Sequence, residues 1–163
     1  MTIRPFVAWP DKRLRTAAEP VAEITDEIRI LWEDMIDTMV AMPGVGLAAP
    51  QIGVMLRVAV VDGSENGGQA IRMANPEILH ASVKLREHDE ASPNLPGVHA
   101  RISRPRAVTV AFLDETGERI EKDFVGLWAT SVQHQIDHLN GKMYFDHLSK
   151  VKRDMLLRKA RKQ

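Results

Sequence analysis

His134 and His138 are the residues of this chain best suited to chemistry. Residues four apart on a helix share one face, so the two imidazoles can converge on a single metal ion. In the metal-dependent hydrolytic pattern His-Glu-x-x-His, the glutamate acts as general base toward metal-bound water. Here that place holds Gln135, and the segment reads His134-Gln135-Ile136-Asp137-His138. The same pair is compatible with helix surface or with satisfied core groups, and the broken motif leaves both readings open. A second segment, Gly44-Val45-Gly46-Leu47-Ala48-Ala49-Pro50-Gln51-Ile52-Gly53, is glycine-rich and apolar and carries one side-chain amide. It lacks the Gly-Lys-Ser/Thr ending of a phosphate cradle.

Two helices must position these groups. Thr25 reads as an N-cap, with Asp26 and Glu27 at the positive end of the helix dipole. Ile28, Leu31, Trp32, Met35, Ile36, Met39 and Val40 follow at helical spacing until Pro43 and Gly44. A second helix runs from about Gly126 to Leu139 with Trp128, Val132, Ile136 and Leu139 on one side, and Asn140-Gly141 closes it. Between them, Arg57 to Val61 is a β-branched run and Val83 to Glu87 alternates as a half-buried strand. Ala107 to Leu113 and Arg119 to Val125 flank a turn at Asp114-Glu115-Thr116-Gly117, which predicts a hairpin. Antiparallel strands with a late helix make an α+β fold, and a basic helix from about Lys150 to Lys162 ends it.

The composition restricts the class. The 163 residues are 44% hydrophobic and 27% charged, as in a globular domain. Lys+Arg and Asp+Glu are both 22, so no general attraction to nucleic acid or anionic membrane exists. No apolar run is long enough to span a bilayer, and no secretory signal is expected. Cysteine is absent, which removes every disulfide, thiolate ligand and thiol nucleophile. The expectation is one domain, residues 1–149, with residues 150–163 as its basic C-terminal helix or tail, acting in the cytoplasm.

At these motifs the chain resembles the peptide deformylases, which remove the formyl group from the N-terminal methionine of new proteins. The resemblance rests on Gly44 to Gln51 and on Gln133-His134 through Asp137-His138-Leu139-Asn140-Gly141. Trp9-Pro10-Asp11, Arg13-Leu14, Leu95-Pro96-Gly97-Val98 and Arg104-Pro105 support it from about Ile3 to Ser149. It implies a peptide-deformylase-like fold, with antiparallel sheets around a central helix bearing His134 and His138 and a helix at the C-terminus. It further implies an Fe or Zn ion held by His134, His138 and a cysteine, with the proton carrier at Gln135 and the oxyanion amide at Gln51. Val45, Gly46 and Leu47 would then bind an extended peptide as an added strand.

Three positions depart from that pattern. Ser92 stands in place of the cysteine within Glu90-Ala91-Ser92-Pro93-Asn94, and a hydroxyl is a far weaker acid than a thiol. Gln135 replaces the glutamate and cannot carry a proton. Pro93 has no backbone N–H, so the second oxyanion donor is lost. The expectation is no metal or a weakly bound divalent ion, lost or strongly reduced hydrolysis, and a binding or regulatory role toward nascent or short N-terminal peptides. The alternative is an active deformylase or related amidase that draws a third ligand from His88, Asp89, Glu90 or His99. The basic C-terminal helix offers a ribosome contact, or else a solvated face with Val151, Met155 and Leu156 packed on the domain. Neither a membrane nor sequence-specific nucleic acid is expected as a partner. Trp9, Trp32 and Trp128 read as core residues.

Overall fold

The computed structural model describes residues 2–162. Helix α1, Asp26–Ala41, starts where expected: the Thr25 hydroxyl accepts the Ile28 N–H at 3.3 Å. Its buried stripe is Ile28, Leu31, Trp32, Met35 and Met39, whereas Val40 turns outward and is 63% exposed. The Trp32 indole donates to the Met73 carbonyl at 3.2 Å, which anchors α1 on the sheet.

Strands β1 (Gly46–Ala48), β2 (Val58–Val61), β3 (Ile71–Ala81), β6 (Ala107–Leu113) and β7 (Arg119–Val125) form one antiparallel sheet in the order β1-β2-β3-β6-β7. β4 (Leu85–Glu90) and β5 (Ala100–Pro105) form a separate antiparallel pair. The β2 run is apolar throughout because both faces of the sheet are covered. Val58 and Val60 pack with the α1 cluster, while Ala59 and Val61 pack with Val132, Ile136 and Leu139 of α2, Gly126–Leu139. A strand buried on one side only would have alternated. The predicted β6–β7 hairpin forms, with the Asp114 carboxylate accepting the Thr116 N–H at 2.9 Å and Gly117 at φ 87°.

One strand expectation needs correction, and two strands were not predicted. The strand predicted from Val83 to Glu87 lies at Leu85–Glu90, and Val83 is 97% exposed. β3 and β5 were not foreseen. β3 bends at Asn75-Pro76, where the register shifts; Asn75 has φ 50°, and its amide both donates to and accepts from the Val21 backbone at 2.8 Å.

Helix α2 lies between the large sheet on one side and β4–β5 on the other. Gly141 ends it at φ 75°, and a Cβ there would stand 2.8 Å from the Arg15 backbone. Helix α3, Lys150–Arg161, docks through Leu156 with Leu157 and Ala160. The expected packing of Val151 and Met155 does not occur: they are 70% and 62% exposed, on the outer face of a one-sided helix. Trp32 is a core residue as expected. Trp9 and Trp128 are half-buried, Trp9 meeting Phe145 edge-on and Trp128 lying against Phe124.

Candidate active site

His134 and His138 face each other on α2 with their Nε2 atoms 3.1 Å apart. His134 Nδ1 lies 2.8 Å from Glu90 Oε1, at the end of β4. An ionised carboxylate only accepts, so His134 Nδ1 carries a proton. His138 Nδ1 is buried and has no partner. Burial, and after it the neighbouring His134, hold His138 well below its usual value, so it is neutral. Glu90 is fixed by Arg104, whose Nε and Nη2 donate to its two oxygens at 2.7 and 2.9 Å. Burial pushes the Glu90 carboxyl upward, but hydrogen bonds from His134 and Arg104 outweigh it and bring it to about 2. Arg104 also donates to Asp137 at 2.9 Å, and Asp137 lies 2.7 Å from His147 Nε2. The helix is thereby tied to both strands of the small sheet.

The second half of the site is amide chemistry. Gln51 sits in the 3-10 turn Ala49–Ile52 and accepts the Ala48 N–H through Oε1 at 2.9 Å. Its Nε2 donates to Asn94 Oδ1 at 2.8 Å and lies 3.5 Å from Ser92 Oγ. The Ser92 hydroxyl donates to the same Asn94 oxygen at 3.0 Å. Asn94 Nδ2 donates to the Val7 and Gln51 carbonyls at 2.7 and 2.9 Å. Pro93, between them, presents no donor. Ser92 is therefore held as a neutral hydroxyl inside a closed amide network.

These groups border one cleft of about 350 Å³, with Met42, Pro43, Val45 and Leu127 among its apolar walls. The structure brings His134, Gln135, Gln51, Ser92, Pro93, Val45 and Gly46 together at it. His138 stands behind His134, 1% exposed. Leu47 is fully buried in the α1 cluster, so only its backbone could meet a ligand. β1 is an edge strand, paired with β2 alone. The Val45 carbonyl already accepts from the Asp62 N–H at 2.8 Å and the Ser131 hydroxyl at 2.7 Å. Gly46 has no room for a side chain: a Cβ would stand 2.4 Å from Ser131 Oγ and 2.5 Å from Gln135 Nε2. Gln135 is 3% exposed, and its Oε1 has no hydrogen-bond partner.

The polypeptide deformylase family model matches residues 3–154. This chain belongs to that family. A peptide deformylase of Afipia carboxidovorans is 44% identical over 164 residues, covering 99% of this chain and 96% of the relative. One from Methylocella silvestris is 43% identical over 167 residues, covering 99% and 85%. Among solved structures, the peptide deformylase of Legionella pneumophila superposes with TM-score 0.91 at 42% identity, covering 98% of this chain and 94% of that one. The peptide deformylase of Ehrlichia chaffeensis in complex with actinonin gives TM-score 0.91 at 37% identity, covering 99% and 98%. The α+β architecture that the motifs implied is the deformylase fold.

The donor set of this family member does not fit a tightly held ion. Among the described residues no three His, Asp or Glu side chains converge as a metal site. Glu90 is engaged by Arg104 and His134, and His99 pairs with Asp89 at an exposed position. Ligation through His138 Nε2 requires its proton on the partnerless Nδ1, and an unpaired buried donor costs about 1–3 kcal/mol. Sequence reasoning missed the roles of Arg104, Asn94 and His147. Arg104 had a readable signal: it shares a strand face with Ile102, and a cation on a buried face requires an acid. Asn94 had none, because the Val7 and Gln51 carbonyls and the Gln51 amide that it bonds lie far away in the chain.

Proposed function

We propose that this chain binds the N-terminal end of methionyl peptides in the cleft beside β1 and has lost most of the hydrolysis performed by its family. The observation that carries the reading is the absence of a usable base at the histidine pair. The proton-carrying place is a carboxamide, Gln135, and the one carboxylate bonded to the pair, Glu90, is locked by Arg104 and sits at about 2. The amide network around Ser92 and the missing N–H of Pro93 support it. With two imidazoles and a hydroxyl, a divalent ion is held weakly. The open edge of β1 can still pair with an extended peptide.

The test compares the chain, supplied with Fe(II) or Zn(II), with the Afipia relative on a formyl-methionyl peptide. Losing the base alone removes about 10²–10⁴-fold and one oxyanion donor about 10²–10³-fold, without full multiplication. The expected deficit is about 10³-fold or more, with turnover recovered by the triple variant Ser92→Cys, Pro93→Leu, Gln135→Glu. Turnover by the unaltered chain within about tenfold of the relative would sink the reading. In this reading the protein acts in the cytoplasm, with nascent N-termini as ligands. The basic α3, with Val151 and Met155 outward, is the surface proposed to meet the ribosome, and co-sedimentation at low but not high salt checks this.

A further inference from the structure

We infer that Asn66 is a site of spontaneous covalent modification, where the chain converts its own side-chain amide to a carboxylate and becomes a substrate for an isoaspartyl carboxyl methyltransferase. The backbone nitrogen of Gly67, on losing its proton to solvent base, attacks Asn66 Cγ. A ring C–N bond forms, the bond from Cγ to the side-chain nitrogen breaks, and that nitrogen leaves as ammonia with a proton returned from solvent. Water then opens the succinimide ring at either carbonyl, giving aspartate or isoaspartate.

Ring closure needs a free N–H on the following residue, a side chain able to turn onto it, and backbone room. The chain has four asparagines, Asn66, Asn75, Asn94 and Asn140. Asn75 precedes Pro76, which has no N–H. Asn94 is 1% exposed; its Oδ1 accepts from Gln51 and Ser92, its Nδ2 donates to the Val7 and Gln51 carbonyls, and the Leu95 N–H donates to the Ser92 carbonyl at 3.0 Å. Asn140 also precedes a glycine, but the Gly141 N–H donates to the His138 carbonyl at 3.1 Å and Arg57 Nη2 donates to Asn140 Oδ1 at 2.8 Å. Asn66-Gly67 lies in the exposed turn between β2 and β3, and among the described residues neither its side-chain amide nor the Gly67 N–H has a hydrogen-bond partner. A Cβ on Gly67 or Gly68 would meet nothing within 4 Å. The turn is fixed on either side of them, where Ser64 and Gln69 donate their N–H groups to the Asp62 carboxylate at 3.0 and 2.9 Å. Asn66 can therefore reorient without opening the sheet. Asp62 is itself followed by a glycine, but a carboxylate is a poor electrophile, and Gly63 is pressed against Trp128, where a Cβ would stand 2.8 Å from its backbone nitrogen.

Incubation of the folded protein at physiological temperature and mildly alkaline pH, followed by isoelectric focusing and tryptic mass mapping, tests this. Lys+Arg and Asp+Glu balance at 22 each, so every conversion adds a negative charge to a neutral chain and an acidic band should accumulate. Trypsin releases Asn66 in the peptide 58–72 and Asn140 in the peptide 123–142, so one digest reads both. The first should convert about tenfold or more faster than the second, which must first break the bonds that close α2. The rate should rise with pH, because the attacking nitrogen is the deprotonated one. Isoaspartyl methyltransferase with labelled S-adenosylmethionine should mark the aged parent chain, and Asn66→Gln should abolish both the label and the acidic band. Mapping of the unaltered chain locates the site even if that variant fails to fold. Conversion at Asn140 as fast as at Asn66, an acidic band that persists in Asn66→Gln, or an aged parent chain with no acidic band overturns the inference.

Discussion

Replacing Arg104 by methionine would remove the cation that holds Glu90 and Asp137 while nearly keeping the volume. The guanidinium is 3% exposed and makes three charged hydrogen bonds to two carboxylates. Breaking a buried pair by deleting one partner costs about 3–5 kcal/mol, because the surviving charge stays buried. The Glu90 carboxyl gives a second, rough measure. It lies at about 2 in the fold against 4.5 ordinarily, and at 1.36 kcal/mol per pKa unit this is roughly 3 kcal/mol of stability, shared between Arg104 and His134. Because the folded value is the lower one, that stability is complete above the unfolded value and disappears as pH falls toward about 2. Urea unfolding followed by tryptophan fluorescence should show Arg104→Met less stable by about 3 kcal/mol or more at neutral pH. The difference from the parent should narrow in acid, because protonated Glu90 no longer needs the cation. A neutral-pH loss below about 1 kcal/mol, with an unchanged dependence on urea, would refute the view that Arg104 fixes Glu90 and, through it, the His134 ring.

Two other substitutions probe the frame. Asn75→Ala removes both bonds to Val21 and leaves a side chain at positive φ, so thermal or urea unfolding should register about 2–3 kcal/mol of lost stability. Gly46→Ala forces Ser131 and Gln135 aside; it should cost about 1–3 kcal/mol in urea unfolding. Titration with a methionyl peptide should also show weaker binding than by the parent chain.

The sequence revealed the parts of the fold whose order is local. His134 and His138 follow from helical spacing, the Thr25 cap from residue type, and β2 from an unbroken apolar run. β3 escaped because Asn75 and Pro76 interrupt it and Arg72, Glu77 and His80 dilute its apolar pattern. β4 was placed too early because Val83 and Leu85 look inward in the sequence, yet both face water and the buried position is Glu90. Ser92, Pro93 and Gln135 were visible as residue types. Their consequence was not: Asn94 closes the amide network through Val7 and Gln51, separated from it by 87 and 43 residues, and no local pattern encodes that.

The two-sided burial of β2 bears on how the molecule comes apart. Its four residues are fully buried and divide between two apolar clusters, one beneath each long helix. Neither helix can lift away without wetting a wall that the other cluster shares. Loosening at α1 would therefore be felt at the imidazoles on α2, and melting should be all-or-none rather than layer by layer.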